Sequence, residues 1–280
     1  MALPIKLFEG AAHASLYHKF RPYVPHQVFE RILCHLQEKK SQPFKLAIDV
    51  GCGSGQMTRP LASHFEKVIG VDVSQSQLEA ARQITNSPNV DYRIGVAEKL
   101  PAEDGTVDLV TSSQAVHWFD YDAFLKEVHR VLRPHGSLAI IAHGNRVPHT
   151  CKENDRSKDE KLEKLHTDFY EGSALAPYWS ERRKHIDNLY SDFTIPYVGS
   201  IRDDTTIEMI EEMNVASFIG YLRSWSAYQS FSEQNPEATD PLAEFYERLM
   251  EILGVDKKED QTMITLKAPM VLLLGRKPSE

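Results

Sequence analysis

The chain has 280 residues, 41% of them hydrophobic, and 40 acidic against 32 basic side chains leave a formal charge of −8. That length buries one large core, or a core with an insertion, while the acidic balance and the lack of a broad basic stripe argue against a nucleic-acid partner. No apolar run of about 18 residues exists to span a membrane, and Cys34, Cys52 and Cys151 form neither a CxxC pair nor a His/Cys cluster. The reading is a cytoplasmic protein in a reducing compartment, with no disulfide framework and no metal site.

In chain order, MALPIKLFEGAAHASLYHKF lacks the cationic start and apolar stretch of a signal peptide. Its spacing predicts an amphipathic helix packed on the body. VFERILCHLQEKK reads as a helix, KLAIDVG as a buried strand running into glycines, MTRPLASHF as a short helix and KVIGVDVS as a second strand. QSQLEAARQI is helical, VDYRIGV and TVDLVTSS are strands, YDAFLKEVHRVL is a helix, RPHG a turn and SLAIIAHG a strand. Strand–helix alternation of this kind implies βαβ units and a parallel sheet covered on both faces.

The rhythm changes after residue 144. CKENDRSKDEKLEKLHTDFY reads as a solvated helix with one apolar stripe. SDFTIPYVG and TTIEMIEEM are candidate strands, the second ambiguous with helix. VASFIGYLRSWSAYQSF reads as one amphipathic helix, PLAEFYERLMEIL as another ended by Gly254, and TMITLKAPMVLLLGRK as a strand or a hairpin-like pair.

Four stretches fall at the carboxyl ends of the predicted parallel strands, where open α/β sheets bind ligands. The first is IDVGCGSGQ, with Gly51, Gly53 and Gly55. Glycines there permit a tight turn and close backbone approach to a ligand, although some such loops are simple turns. A dinucleotide fingerprint would place its third glycine one residue later, which argues against a dehydrogenase. The second is Asp72 in GVDVS, a position from which a carboxylate accepts from both hydroxyls of a ribose; an N-cap role is weaker because Ser74 is the better-placed cap. The third is GVAEKLP, with Ala97 and Glu98. The fourth is QAVHWFD, with Gln114, His117 and Trp118.

DVGCGSGQ, GVDVS, GVAEKLP and VLRPHGSLAI together resemble the successive motifs of class I S-adenosylmethionine (SAM)-dependent methyltransferases, over residues 45–145. AVHWFDYDAF, LAPYWSERR, YLRSWSAYQSF and the N-terminal YHKFRPYVP are similar to the trans-aconitate methyltransferase-like group. The resemblance implies a Rossmann-like α/β fold: a seven-stranded, mostly parallel sheet with a reversed last strand, helices on both faces and a helical insertion before the last strands. It implies one domain over 1–280, with a lid at 1–25, a SAM-binding core at 26–144, a substrate-side insertion at 145–235, and a helix and strand at 236–280 completing the sheet. On that carry-over Asp49, Gly51, Gly53 and Gly55 line the methionine part of SAM. Asp72 takes the ribose, Val73 lies beside the adenine, and Ala97 and Glu98 flank it. Gln114 and His117 lie beside the methyl-sulfonium end, and Tyr17 and Arg21 contact SAM from the lid.

Methyl transfer from a sulfonium is an in-line displacement, so the protein mainly aligns the reactants and keeps water away. Aromatic walls suit both tasks, and Trp118 is one candidate. A carboxylate acceptor is already ionised and needs a cationic clamp, whereas a neutral acceptor needs a base, for which His117 is placed. Tyr178, Trp179, Arg182, Arg183, Arg223, Trp225 and Tyr228 are the candidate acceptor-binding residues, with core packing or solvated charge as their alternative roles. The expected function is methyl transfer to a small-molecule acceptor, a trans-aconitate-like carboxylate first. The rivals are N-, S- or O-methylation of a neutral molecule with His117 as base, and a SAM-binding protein without turnover. No nucleic acid, membrane or metal is expected, and the assembly expected is a monomer or weak homodimer.

Overall fold

The computed structural model describes residues 24–151, 155–204, 206–255 and 261–279. The expected N-terminal helix and lid, with Tyr17 and Arg21, lie outside the described residues. The core runs β1 (Phe44–Val50), β2 (Phe65–Asp72), β3 (Val90–Ile94), β4 (Val107–Ser113) and β5 (Leu132–His143). Its helices are α1 (His26–Gln37), α2 (Thr58–Leu61), α3 (Gln75–Ile84) and α4 (Tyr121–Val131). The order β3-β2-β1-β4-β5 is parallel throughout, and both faces are buried, which is why IDV and VDLV read as unbroken apolar runs. Val28, Ile32 and Leu36 of α1 cover one face with Ala47 and Ala139; Phe124, Val128 and Val131 of α4 cover the other with Ile48 and Val110.

Capping follows the sequence. Ser74 caps α3 by accepting from Gln77 N, and Asp120 caps α4 through Ala123 N. RPHG does not precede β5 as a turn. It lies within that strand as a bulge, with His135 at φ 65° and the β4 register shifting between Val107 and Leu109.

β9 (Met263–Arg276) is one strand of 14 residues, not a hairpin pair. It runs antiparallel between two interrupted partners. On one side β5 pairs with Met270–Arg276, and its continuation β6 (Val147–Thr150) pairs with Ile264–Lys267. On the other lie β7 (Ile201–Asp203) and β8 (Glu208–Asn214). Among the described residues nine strands thus fill the seven positions expected, with β9 as the reversed one. The insertion is not purely helical, since β6, β7 and β8 arise from it. TTIEMIEEM resolves to strand because Met209 and Met213 are buried while Glu208 and Glu212 are exposed, a period of two. SDFTIPYVG forms no strand: Pro196 and the left-handed Gly199 turn it, leaving Ile195 to pack where a Cβ on Gly275 would lie.

The break between β5 and β6 matters for the site. His143 faces Met270 and Val147 faces Lys267, so four steps on one strand match three on the other. Pro269, which offers no N–H to the ladder, sits at this bulge. Gly144 N still donates to Pro269 O at 2.9 Å, while the side chains of Asn145 and Arg146 reach Arg183 and Glu211.

The insertion carries α5 (Arg156–Gly172), α6 (Arg183–Asp187), α7 (Val215–Arg223) and α8 (Ser226–Gln234); α9 (Leu242–Leu253), ended by left-handed Gly254, follows and packs with it. Leu162, Phe169, Phe218, Trp225, Phe245 and the first half of β9 form its own core. The long amphipathic helix expected over 215–231 is two helices. Ser224 Oγ donates to Tyr221 O at 2.6 Å and Trp225 takes extended backbone (φ −65°, ψ 138°). Competition from a serine hydroxyl for backbone acceptors suits such a break. Among the described residues no helix is long and apolar enough to cross a membrane.

Candidate active site

The glycine loop follows β1. Gly51 and Gly55 have φ of 68° and 83°, where a side chain is strained, and a Cβ would lie 2.4 Å from Ala115 Cβ at Gly51 and 2.3 Å from Tyr92 Oη at Gly55. The loop is therefore held close to Tyr92 of β3 and to Ala115 after β4. Asp49 lies beneath it, 1% exposed, accepting from Thr58 Oγ1 at 2.6 Å and Thr111 Oγ1 at 2.9 Å. Burial pushes its carboxyl up to about 7 despite these bonds, with Asp72 adding to the rise.

Asp72 closes β2 and accepts from Gly53 N at 2.8 Å and Ser74 N at 2.9 Å. Burial raises its pKa, opposed by those N–H donors. Each oxygen keeps a second lone pair for a ligand hydroxyl. Val73 beside it is 49% exposed, and Ile94 and Val96 at the end of β3 are exposed too. An apolar lip of this kind suits a planar ring, and sequence reading had found only its first member. Ala97 is buried behind it, and Glu98 Oε1 accepts from Asp120 N at 2.9 Å, tying the third crossover to the fourth.

Gln114 follows β4 with φ 56°, unusual for a residue with a side chain. Its Nε2 donates to His143 O at 2.9 Å, while its Oε1 is buried without a hydrogen-bond partner. Gln56 Nε2 is a second buried orphan. Both glutamines line one crevice with Asp49, Gly51, Gly53, Met57 and, on the far side, Ile141, His143, Met209 and Met270. One orphan donor and one orphan acceptor facing a glycine turn fit the carboxylate and ammonium of a methionyl group. The residues therefore match a SAM site.

A second pocket shares Gln114 and His143 with that crevice. His117, Trp118, Trp179, Ser180, Arg183, Ile186, Tyr221, Trp225 and Ser226 complete its lining. His117 lies in the 3₁₀ turn Val116–Trp118, is 5% exposed, and has Nδ1 at 2.7 Å from Tyr190 Oη. Burial, and then the charges of Arg183, His185 and Arg182, push its pKa down to about 3, so the ring is neutral at physiological pH. Arg183 stacks on Trp179 and Tyr170, with its guanidinium carbon 4.9 and 5.1 Å from their ring centres. Its Nε donates to Tyr170 Oη at 2.6 Å and its Nη2 to Asn145 Oδ1, the residue turned out by the β5–β6 bulge.

The structure sorts the other candidates differently. Arg182 does not line this pocket; it donates to His117 O at 3.1 Å and lies over Trp118, holding the turn from behind. Arg223 is 48% exposed and reaches Asp240 at 3.4 Å, away from the pocket. Tyr178 Oη accepts from Asn235 and its ring packs edge-on against Phe231. Trp225 precedes α8 while Tyr228 lies on it, so the two do not sit on the one helix expected over 215–231. Trp225 is 1% exposed and packs on Tyr170, Trp179 and Tyr221 while lining the pocket. Among residues the sequence reading missed, Arg146 is fully buried, pairs with Glu211 and lies 4.7 Å over the Tyr221 ring. Its Nε and Nη1 have no hydrogen-bond partner.

Comparison with known proteins agrees with this architecture. Residues 48–140 match the family described as "Methyltransferase domain". A methyltransferase-family protein of Dictyostelium discoideum is 35% identical over 261 residues, 93% of this chain and 92% of that protein. An S-adenosylmethionine-dependent methyltransferase-family protein of Saccharomyces cerevisiae is 26% identical over 274 residues, covering 88% of this chain and 89% of it. The solved structure of a methyltransferase-family protein from Anaeromyxobacter dehalogenans superposes with a TM-score of 0.72 at 29% identity, over 93% of this chain and 100% of that one. With its parallel sheet, reversed β9 and glycine loop, the chain belongs to the class I SAM-dependent methyltransferases.

Proposed function

We propose that the chain methylates a small anionic acceptor, a carboxylate of the trans-aconitate type, giving a methyl ester. One observation carries the reading: the second pocket shares Gln114 and His143 with the crevice and has the guanidinium of Arg183 on an aromatic wall in its lining. A carboxylate is ionised near neutral pH and needs orientation and charge balance, which arginine supplies.

Bound SAM would supply an electrophilic methyl on a sulfonium, whose sulfur takes the C–S bonding pair and leaves as the neutral thioether of S-adenosylhomocysteine. Gly51, Gly53 and Asp49 form its methionine cradle, with Gln56 Nε2 toward the carboxylate and Gln114 Oε1 toward the ammonium. Asp72 takes the ribose hydroxyls, and Val73, Ala97 and Glu98 surround the base. Trp118, Trp179 and Trp225 exclude water from the acceptor, and Arg183 aligns its carboxylate for in-line attack. The reading with His117 as base toward a neutral acceptor is less well supported, because a ring whose pKa lies near 3 is a weak base at neutral pH. The three free cysteines suit a monomer or weak homodimer working in the cytosol.

The test is methyl transfer from labelled SAM to a panel of small carboxylic acids, amines, thiols and phenols. Esterification of acids is the expected result; transfer confined to amines or thiols, or SAM binding with no transfer to any acceptor, overturns the proposal.

A further inference from the structure

His117 and Tyr190 are 73 positions apart, yet their polar atoms meet in a buried contact of 2.7 Å. Tyr190 is fully buried. It is reached through two consecutive left-handed residues, Leu189 at φ 47° and Tyr190 at φ 53°. Neither is a glycine, and such backbone persists only where surroundings over-determine it. They do so here. Arg202 of β7 donates to Leu189 O at 2.7 Å and to Tyr190 O at 3.2 Å, and Tyr190 N donates to His185 O at 2.7 Å. Phe193 packs edge-on against the Tyr190 ring with centres 5.0 Å apart. The insertion thus holds a strained turn in place, and the group it delivers to the active-site loop is one phenol.

A neutral imidazole has one donor nitrogen and one acceptor nitrogen, and its partner decides which is which. At 2.7 Å the contact is a close hydrogen bond, and with the phenol as its donor Nδ1 is the accepting nitrogen. The charged and titratable groups around the ring are Arg182, Arg183, His185 and Tyr190, with no carboxylate among them to draw a second proton onto it.

We propose that Tyr190 is a positioning residue: it donates its phenolic hydrogen to His117 Nδ1 and fixes the ring as the Nε2–H tautomer, so that His117 meets the acceptor as a hydrogen-bond donor. Tyr190 thereby selects against acceptors that must lose a proton to the enzyme, because the one lone pair that could take it is already engaged. This rests on the reading of the second pocket as the acceptor site, but the tautomer itself does not.

The experiment is long-range proton–nitrogen correlation NMR on protein labelled with ¹⁵N-histidine, with His117→Gln used to assign the His117 signals. The expected wild-type spectrum shows a protonated Nε2 and an unprotonated Nδ1 from pH 6 to 8. In Tyr190→Phe, which keeps the ring, the two tautomers mix, and kcat/KM toward an anionic acceptor falls about tenfold, the loss of one hydrogen bond. A wild-type ring protonated on Nδ1 overturns the proposal without any variant, and so does a folded Tyr190→Phe protein with an unchanged His117 spectrum. If no acid is methylated while the wild-type ring is protonated on Nε2, the carboxylate reading fails and the tautomer assignment stands.

Discussion

Asp72 and Arg183 show how differently single residues announce themselves. The place of Asp72 was legible because it depends on a local pattern, a strand end beside a glycine loop. On the proposed reading its replacement by alanine removes both acceptors for the ribose, and SAM affinity measured by calorimetry should fall about 100-fold. Arg183 was one of three candidate arginines, and its sequence neighbourhood does not separate it from Arg182 or Arg223. Only the folded chain does: Arg183 lines the pocket, Arg182 braces a carbonyl, and Arg223 faces Asp240 in solvent. Arg183→Ala should therefore raise the acceptor KM tenfold or more with SAM binding intact, roughly the value of one charged hydrogen bond. Arg223→Ala should leave turnover unchanged, and steady-state kinetics on the two variants check both. His117 makes a further residue-scale prediction. Its folded pKa of about 3 lies below the unfolded 6.5, so the native state binds fewer protons between those values. Its contribution is present above about pH 6.5 and is lost as pH falls toward 3. His166, buried and pushed down to about 4, acts in the same direction. Urea unfolding from pH 6 down to 4 should show stability dropping, and His117→Gln should flatten that slope by up to about 1.4 kcal/mol per pH unit.

Elements were read well where a single period ran through them and badly where an irregularity was the point. The core strands and α3, α4 and α9 follow their hydrophobic spacing. The bulge of β5 to β6 does not, because it is set against Pro269, remote in sequence, and the break between α7 and α8 does not, because the Ser224 hydroxyl takes Tyr221 O and Trp225 leaves the helical backbone. These two irregularities deliver Asn145, Arg146 and Trp225 to the site or its wall. Trp225 is both core and lining, so Trp225→Ala should cost roughly 3–5 kcal/mol of stability as well as activity. Thermal unfolding separates that loss from a purely catalytic one, for which the melting temperature would not move. In the glycine loop, Gly51→Ala meets Ala115 at 2.4 Å and keeps an unfavourable φ. A cost on the order of 1–3 kcal/mol, with weakened SAM binding, is expected from unfolding and titration together.

At the scale of the molecule, the sheet order and the crevice were legible because βαβ alternation leaves few topologies. The insertion was less so. Its strands join β9 from the far side, and β9 serves two cores at once, its second half in the nucleotide-type body and its first half among α5, α7 and α9. One strand thereby fixes the proposed acceptor pocket against the glycine-loop crevice, and Gln114 and His143 line both. That arrangement makes a single measurement decisive. Protein incubated with methyl-labelled SAM and small carboxylic acids should yield label in a product that mild alkali releases as methanol, as a carboxyl methyl ester does. Label retained through alkali on an amine or thiol product, or none transferred by protein that binds SAM, would contradict the account.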